Sequence, residues 1–545
     1  MIHTDRGRFG LELLVMVANQ KACVVFIVIV CALPLSASSE KGKADRGRSL
    51  SILMLAPPLF GHLTPVSALG EELVRRGHNV TLCTLTVPWS DALRKMVERA
   101  GMSFLGVAAG KQVSSFMKIA GKSHTEQQQF IGTSPISVPM RVNRVLQEMS
   151  QTVVQIVDTE AIIEWDVIIA TEFLAPLLAC LHWKWKIPSV TLSAVLQFQP
   201  HTLPQWPFPS LLGNAVSDNL AFKDRLVSGI SSVLFPIVYK HILVRGIKNS
   251  LEDTCAGASL SYISTAPGVN IPQIVQTVIG FEFPRTISPL SEYVGPILSK
   301  SPVPLSEELE IWLKDKPEKS VIYISMGSMF SMSNETGLAI VNGINATKYT
   351  VLWSLRNQDI LEGMELDPQR FFISSWTPQL SILQHKAIGM AIMHGGMNGI
   401  NEALYNGVPI IALPFLGDQV FSAGVLQHRG LGIKLDQRKL TPERIEESIN
   451  HIEAGNYHKQ ASSIRKMFLQ AGGAERAADL VEFYEEVGYD HLVPAYAKYE
   501  WSWVQYYNVD VYALLLCTAL LCMYCTVRLC SCVRRRCAGT KVKKE

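Results

Sequence analysis

Residues 393–409 read "MHGGMNGINEALYNGVP". An apolar run, "IGMAIMH", stops at a histidine and two glycines, and a helix starts at once. In doubly wound sheets a ligand lies at the carboxyl ends of the strands, where glycines admit close backbone approach and helix N-termini offer free N–H groups. Here His394 closes the strand and Gly395 and Gly396 make the turn. The amides near Met397 and Asn398 then face outward with the positive end of the helix dipole behind them, worth about 0.3 to 1 kcal/mol per exposed charge. An anion fits this opening, and so does a turn with a purely structural task.

Outward from that stretch, short β-branched runs alternate with longer amphipathic segments, the pattern of parallel sheets wound by helices. "SVIYISMGS", "KYTVLWSL", "FFISSW", "IGMAIMH" and "VPIIALP" read as strands of one α/β domain beginning near Lys319. Upstream, "LSILMLAP" reads as a strand, "TPVSALGEELVRRG" as a helix with Pro65 near its first turn, and "HNVTLCTL", "WDVIIAT" and "IPSVTLS" as further strands. Between the two sets, "FEFPRTISPLSEYVGPILSKSPVPLSEE" holds five prolines and little periodicity, which marks the linker.

Both ends carry membrane signals. "KACVVFIVIVCALPLSAS" is a lysine, an apolar run and small residues, a secretory signal ending near Ala37, with Met16 as an alternative initiator and an uncleaved anchor as the competing reading. "VYALLLCTALLCMYCTV" (511–527), extended by 529–533, is just long enough to cross a bilayer of about 30 Å. Aromatic residues crowd its front edge in "YEWSWVQYYNVDVY", and "RLCSCVRRRCAGTKVKKE" follows it. The positive-inside rule therefore expects a cytosolic tail and a lumenal body. Lys541 and Lys543 have the spacing of a dilysine retrieval signal of the endoplasmic reticulum, and a plain basic stop-transfer run is the alternative.

The 545 residues are 48% hydrophobic and 18% charged, enough chain for two domains plus appendages. The basic tail carries more positive charge than the overall +3, so the body is mildly acidic and nucleic acid is excluded as a partner. Eight of the eleven cysteines fall in or beside the two membrane signals. The remaining Cys83, Cys180 and Cys255 are scattered, with neither a disulfide framework nor metal-ligand spacing. Sequons stand at Asn79, Asn334 and Asn345, the first expected to be hidden in a strand.

From Trp376 to Gln419, "WTPQLSILQHKAIGMAIMHGGMNGINEALYNGVPIIALPFLGDQ" resembles the donor-binding signature of the UDP-glycosyltransferase family, nucleotide-sugar-dependent enzymes with two facing Rossmann-like domains, the GT-B fold. "SMGS" resembles the phosphate loop of the family's C-terminal domain, "EFPRTISPLSEYVGPI" the lead into its linker, and the segment from Asp490 the tail of its membrane-anchored animal members. The resemblance implies a signal peptide at 1–37, an N-terminal acceptor-binding domain at 48–298, a linker at 299–318 and a C-terminal UDP-sugar-binding domain at 319–490. A transmembrane helix at 511–533 and a cytosolic tail at 534–545 complete it.

It also implies roles. Trp376 offers a face for uracil, a contact worth roughly 0.5 to 1.5 kcal/mol beyond burial, and the backbone at Thr377 reads the base edge. Gln379 and Glu402 take ribose hydroxyls; otherwise Glu402 is a solvated helix residue. Ser325, Gly327, Ser328, His394, Gly396, Asn398 and Gly399 hold the diphosphate as its charge grows during departure of the sugar. Asp418 and Gln419 take sugar hydroxyls, with a helix cap as their plain alternative.

In "APPLFGHLTP", His62 lies in the loop between the first strand and first helix and matches the family's catalytic base. The family's orienting acid falls at Thr171, a departure; Glu172, one step later, is the expected partner, and Asp166 lies at the wrong end of the strand. The expected chemistry is inverting transfer from a UDP-sugar to a hydroxyl or similar nucleophile of a small lipophilic acceptor, giving a β-glycoside. UDP-sugar is a donor substrate, so no cofactor and no metal are expected and chelators should leave activity intact. Expected partners are the UDP-sugar, the acceptor and the bilayer, with a second copy of the chain left open. A catalytically impaired UDP-sugar binder acting as a regulatory partner is the rival reading, supported by the displaced acid alone.

Overall fold

The computed structural model describes residues 48–118, 137–157, 165–194, 221–223, 225–227, 229–230, 237, 239–265, 268–284, 287–327, 331–415, 418–499 and 501–541. Ser328, Lys543 and the aromatic and proline-rich stretch 197–213 lie outside them.

The first sheet is parallel throughout, with β1 (Ser51–Leu55), β2 (Asn79–Thr86), β3 (Ser103–Ala108), β4 (Val167–Thr171), β5 (Ser189–Ser193), β6 (Gln273–Val275) and β7 (Ser291–Tyr293) in the order 3-2-1-4-5-6-7. The second is parallel as well: β8 (Val321–Ser325), β9 (Thr350–Ser354), β10 (Phe371–Ser374), β11 (Ile388–Met393), β12 (Ile410–Ala412) and β13 (Gly432–Lys434), ordered 10-9-8-11-12-13. The apolar runs are continuous because helices cover both faces. In β1, Leu53 and Leu55 face one core while Ile52 and Met54 face the other. In β8, Val321 and Tyr323 pack one way and Ile322 and Ile324 the other. Each sheet turns back on itself between β1 and β4 or between β8 and β11, and the strand ends there open a crevice.

Five helices position the site or brace the lobes that carry it: α1 (Phe60–Arg75), α2 (Met397–Tyr405), α3 (Asp418–His428), α4 (Tyr457–Ala471) and α5 (Gly473–Glu486). Helix α1 starts four residues earlier than the expected "TPVSALGEELVRRG", so Pro65 stands inside it and His62 lies in its first turn, not in a loop. Pro65 is then past the first turn, and its missing N–H leaves the Gly61 carbonyl without an intrahelical partner.

The C-terminal residues correct a second expectation. Through α4 the chain belongs to the second core, where Ala461, Ile464 and Phe468 are buried. At Gly472 and Gly473, both at positive φ, it crosses back, and Ala474, Ala477, Leu480, Val481 and Tyr484 of α5 join the first core. A Cβ on Gly473 would meet the Pro296 carbonyl at 2.7 Å, so the outgoing and returning chains run side by side only because that residue is glycine. Arg76 of α1 fastens α5 through Asp479 (2.8 Å) and Glu482 (2.7 Å). Residues 473–486, which the boundary at 490 gives to the second domain, thus pack with the first.

Cys180 and Cys255 are joined in a disulfide closing 75 residues, contrary to the reading of three unrelated cysteines. Both are fully buried against the same core, which the spacing alone did not show. Asn79 is exposed despite opening β2, as are Asn334 and Asn345. Among the described residues one helix, Val509–Arg535, is long and apolar enough to cross a membrane, with mean hydropathy 2.0 and no residue of its apolar window buried.

Candidate active site

The site is built where β1 and β4 of one sheet face β8 and β11 of the other. From the N-terminal side comes His62. Its Nδ1 stands 3.3 Å from Glu172 Oε1, a contact without hydrogen-bond alignment, and neither atom has another hydrogen-bond partner among the described residues. Phe173 lies against the imidazole with ring centroids 4.7 Å apart. Glu172 reaches this place because β4 ends at Thr171 and a single 3-10 turn, Glu172–Leu174, swings the next side chain into the crevice. The displaced acid of the sequence is therefore compatible with a dyad. Glu172 Oε2 accepts the Ala194 N–H at 3.1 Å. Asp166, at the far end of the strands, accepts the Ser51 N–H at 2.8 Å.

Burial dominates the electrostatics of this pair. It pushes the Glu172 carboxyl up to about 7, with the nearby Asp418 charge adding and the Ala194 N–H opposing, and pushes the His62 imidazole down to about 4. At neutral pH the imidazole is uncharged and able to accept a proton.

The second sheet supplies a strand–turn–helix nest. His394, one residue beyond β11, has a buried and unpartnered Nδ1, and burial lowers its pKa to about 4, making it a neutral donor or acceptor. Its imidazole fills the gap between two bare backbones. A Cβ on Gly327 would meet its Cε1 at 2.7 Å and one on Gly396 its Nε2 at 2.5 Å. That contact gives a reason for both glycines beyond flexibility. Ser325 ends β8 beside them, mostly buried, and Gly399 lies in the first turn of α2, where a Cβ would make ordinary contacts with the side chains of Met393 and Gln379 at 3.5–3.8 Å.

Next to the nest, Gln379 Nε2 donates to Glu402, while its Oε1 accepts from Tyr323, whose hydroxyl also contacts Thr377 at 3.1 Å. Glu402 is only 7% exposed, so it is no solvated helix residue, and burial raises its carboxyl to about 7. Trp376, by contrast, is 61% exposed, so it is no core residue and its face is free.

Three residues have their side chains engaged within the protein. Asn398 has its side chain committed across the crevice: Nδ2 donates to Gly61 O at 2.6 Å, and Oδ1 accepts from Gln276 Nε2 at 2.7 Å. Gln419 Oε1 accepts the Phe415 N–H at 3.0 Å, and the Asp418 carboxylate takes the amides that open α3, so both serve the helix start. These are plain cap roles. Sequence reasoning missed Tyr323, Gln276 and Asn401; only Tyr323 left a signal, sharing a strand face with Ser325 at the glycine turn.

Against known proteins, the family model for UDP-glucoronosyl and UDP-glucosyl transferase matches residues 51–544. Human UDP-glucuronosyltransferase 1A6 is 26% identical over 344 residues, covering 60% of this chain and 61% of that protein. Rat UDP-glucuronosyltransferase 1-2 is 26% identical over 350 residues, covering 62% and 63%. The chain thus spans about three fifths of these relatives. Two solved glycosyltransferases, those of kitacinnamycin and of calicheamicin (CalG4), each superpose with a TM-score of 0.58 at 20% identity, covering 82% and 81% of this chain and all of theirs. Two parallel sheets facing across a crevice, with these neighbours, make the fold GT-B, and the chain belongs to the UDP-glucoronosyl and UDP-glucosyl transferase family.

Proposed function

We propose that the protein transfers a sugar from a UDP-sugar to a hydroxyl, or similar nucleophile, of a small lipophilic acceptor with inversion, giving a β-glycoside. The observation that carries this is the opposition of the His62–Glu172 pair to the N-terminus of α2, fixed by the hydrogen bond from Asn398 to Gly61. Nδ1 of His62 faces Glu172, so Nε2 is the nitrogen left for the acceptor. It takes the acceptor proton as the oxygen attacks the anomeric carbon from the face opposite UDP. The bond to the diphosphate breaks as the new one forms, and the nest of His394, Gly396 and the α2 amides, with the Ser325–Gly327 loop, takes the charge left on UDP. Trp376 and Thr377 would hold uracil, and Glu402 with Gln379 the ribose. Glucose, glucuronic acid and galactose all suit the donor side.

The exposed apolar helix supports a single-pass anchor, and the basic residues after it support a cytosolic tail and a lumenal body in the endoplasmic reticulum. No observation favours the regulatory-binder alternative, because the displaced acid that suggested it lies beside His62.

Membranes carrying the protein are incubated with several UDP-sugars and a panel of phenols, sterols and ceramides, with products detected by mass. His62→Ala should abolish glycoside formation and keep UDP binding. Glu172 must be ionised to support an imidazolium, so turnover should fall with an acid limb near pH 7. Glu172→Gln should lose that limb and lower the plateau roughly 100-fold. A wild-type protein with no product on any pairing, or full activity in His62→Ala, refutes the reading.

A further inference from the structure

Gln276 is 2% exposed, lies one residue past β6 and takes no part in the proposed chemistry. Its side-chain amide nitrogen donates twice, to Ala194 O at 2.9 Å and to Asn398 Oδ1 at 2.7 Å, while its backbone carbonyl accepts from Asn401 Nδ2 at 2.8 Å. Two residues of the first turns of α2 are therefore held by one residue of the opposite lobe. Ala194 in turn gives its N–H to Glu172.

The contacts close a ring. From Glu172 it runs through Ala194 to Gln276, to Asn398, to Gly61, along the chain to His62, and back to Glu172. Pro65 completes it. In a helix the N–H of residue 65 would bind the carbonyl of residue 61, but proline has no N–H, so Gly61 O is left for Asn398. The ring crosses between the lobes at Gln276–Asn398 and at Asn398–Gly61, and Gln276 stands at the first crossing with both of its amide hydrogens used.

We propose that Gln276 is a positioning residue that couples the donor helix to the His62–Glu172 pair, so that a nucleotide seated on α2 sets the spacing of the proton-accepting groups in the other lobe. The kinetic half of this rests on the transfer reading; the structural half does not. Gln276 touches neither substrate in this arrangement. It fixes Asn398 and Asn401 on one side and, through the Ala194 peptide, the carboxylate of Glu172 on the other.

The test uses full-length protein in detergent, followed by hydrogen–deuterium exchange with and without UDP. In the wild type, UDP should slow exchange in 397–405 and also in 60–66 and 191–194. Gln276→Met, close in size and without donors, should keep the protection at 397–405, lose that at 191–194 and weaken that at 60–66, where the bond from Asn398 to Gly61 remains. Its kcat should fall about tenfold or more, because misplaced reacting groups are costly, and the acid limb of its pH profile should move. Its affinity for UDP should stay within about threefold. Pro65→Ala returns an N–H to compete for Gly61 O, and should weaken protection at 60–66 with every ring side chain intact; it carries the test if Gln276→Met does not fold.

Protection at 191–194 that survives in Gln276→Met, unweakened protection at 60–66 in Pro65→Ala, or UDP affinity falling in step with kcat, overturns the proposal. If protection follows the expected pattern but no variant or wild type makes product, the transfer reading fails and the coupling stands. If the wild type turns over and its pH profile is unmoved in Gln276→Met, the coupling fails and the transfer reading stands.

Discussion

Gly396→Ala tests the diphosphate nest with little disturbance elsewhere. Gly396 has φ −67° and ψ 143°, ordinary extended backbone, so alanine costs nothing there in strain. The added methyl would lie 2.5 Å from His394 Nε2 and 3.2 Å from Cδ2. Carbon contacts are comfortable at about 3.5 Å or more, so the imidazole, which already fills the gap to Gly327, has to leave its place by about 1 Å. A hydrogen bond from that ring to a charged phosphate, worth about 1.5 to 3 kcal/mol, is then lost. UDP affinity measured by calorimetry should fall roughly 10- to 150-fold. Overlap with a ring that already fills the gap should also lower thermal stability, by roughly 1 to 3 kcal/mol. Gly327→Ala adds to a similar overlap the backbone strain of its φ of +72°, about 1–2 kcal/mol, so its stability should fall further. UDP binding in Gly396→Ala within about threefold of wild type would show that His394 does not hold the phosphates.

The buried acid and the buried disulfide give two further expected outcomes. In its proposed role Glu402, raised to about 7 by burial, takes the ribose hydroxyls as the carboxylate, so affinity for a UDP-sugar should weaken as pH falls, by about tenfold from pH 8 to pH 6 for one linked proton. The diphosphate diester of a UDP-sugar does not titrate in that range; Glu402→Gln should bind with no such slope, and a flat wild-type profile refutes the role. Replacing Cys180 and Cys255 by serine frees a loop of 75 residues and should cost up to roughly 4 kcal/mol, read as a lowered unfolding midpoint without reductant. An unchanged midpoint would mean that the buried pair does not constrain the unfolded chain.

Much of the architecture was legible because parallel strands buried on both faces write long apolar runs, and the strand ends carry glycine turns at fixed places. The short strands β6, β7 and β13, three residues each, gave no such run, and the edge strand β3 is half exposed. Within the site, Trp376, Gln379, His394 and Glu402 stand close together in the chain, so local spacing was enough to group them. The start of α1 was misread because Pro65 suggests a first turn, whereas its missing N–H is used to free Gly61 O for the other lobe.

The sequence by itself determined two wound sheets, the glycine turn at 394–398 and the grouping of Trp376, Gln379 and Glu402 beside it, since each is encoded within some forty residues or fewer. Tertiary structure alone decided that Glu172 faces His62, that Asn398 spends its side chain on Gly61 and Gln276, that Cys180 meets Cys255, and that α5 returns to the first core. These pairings join residues up to hundreds of positions apart, and a hydrogen bond or a packed face depends on distance and direction in space, which periodicity along a chain does not record.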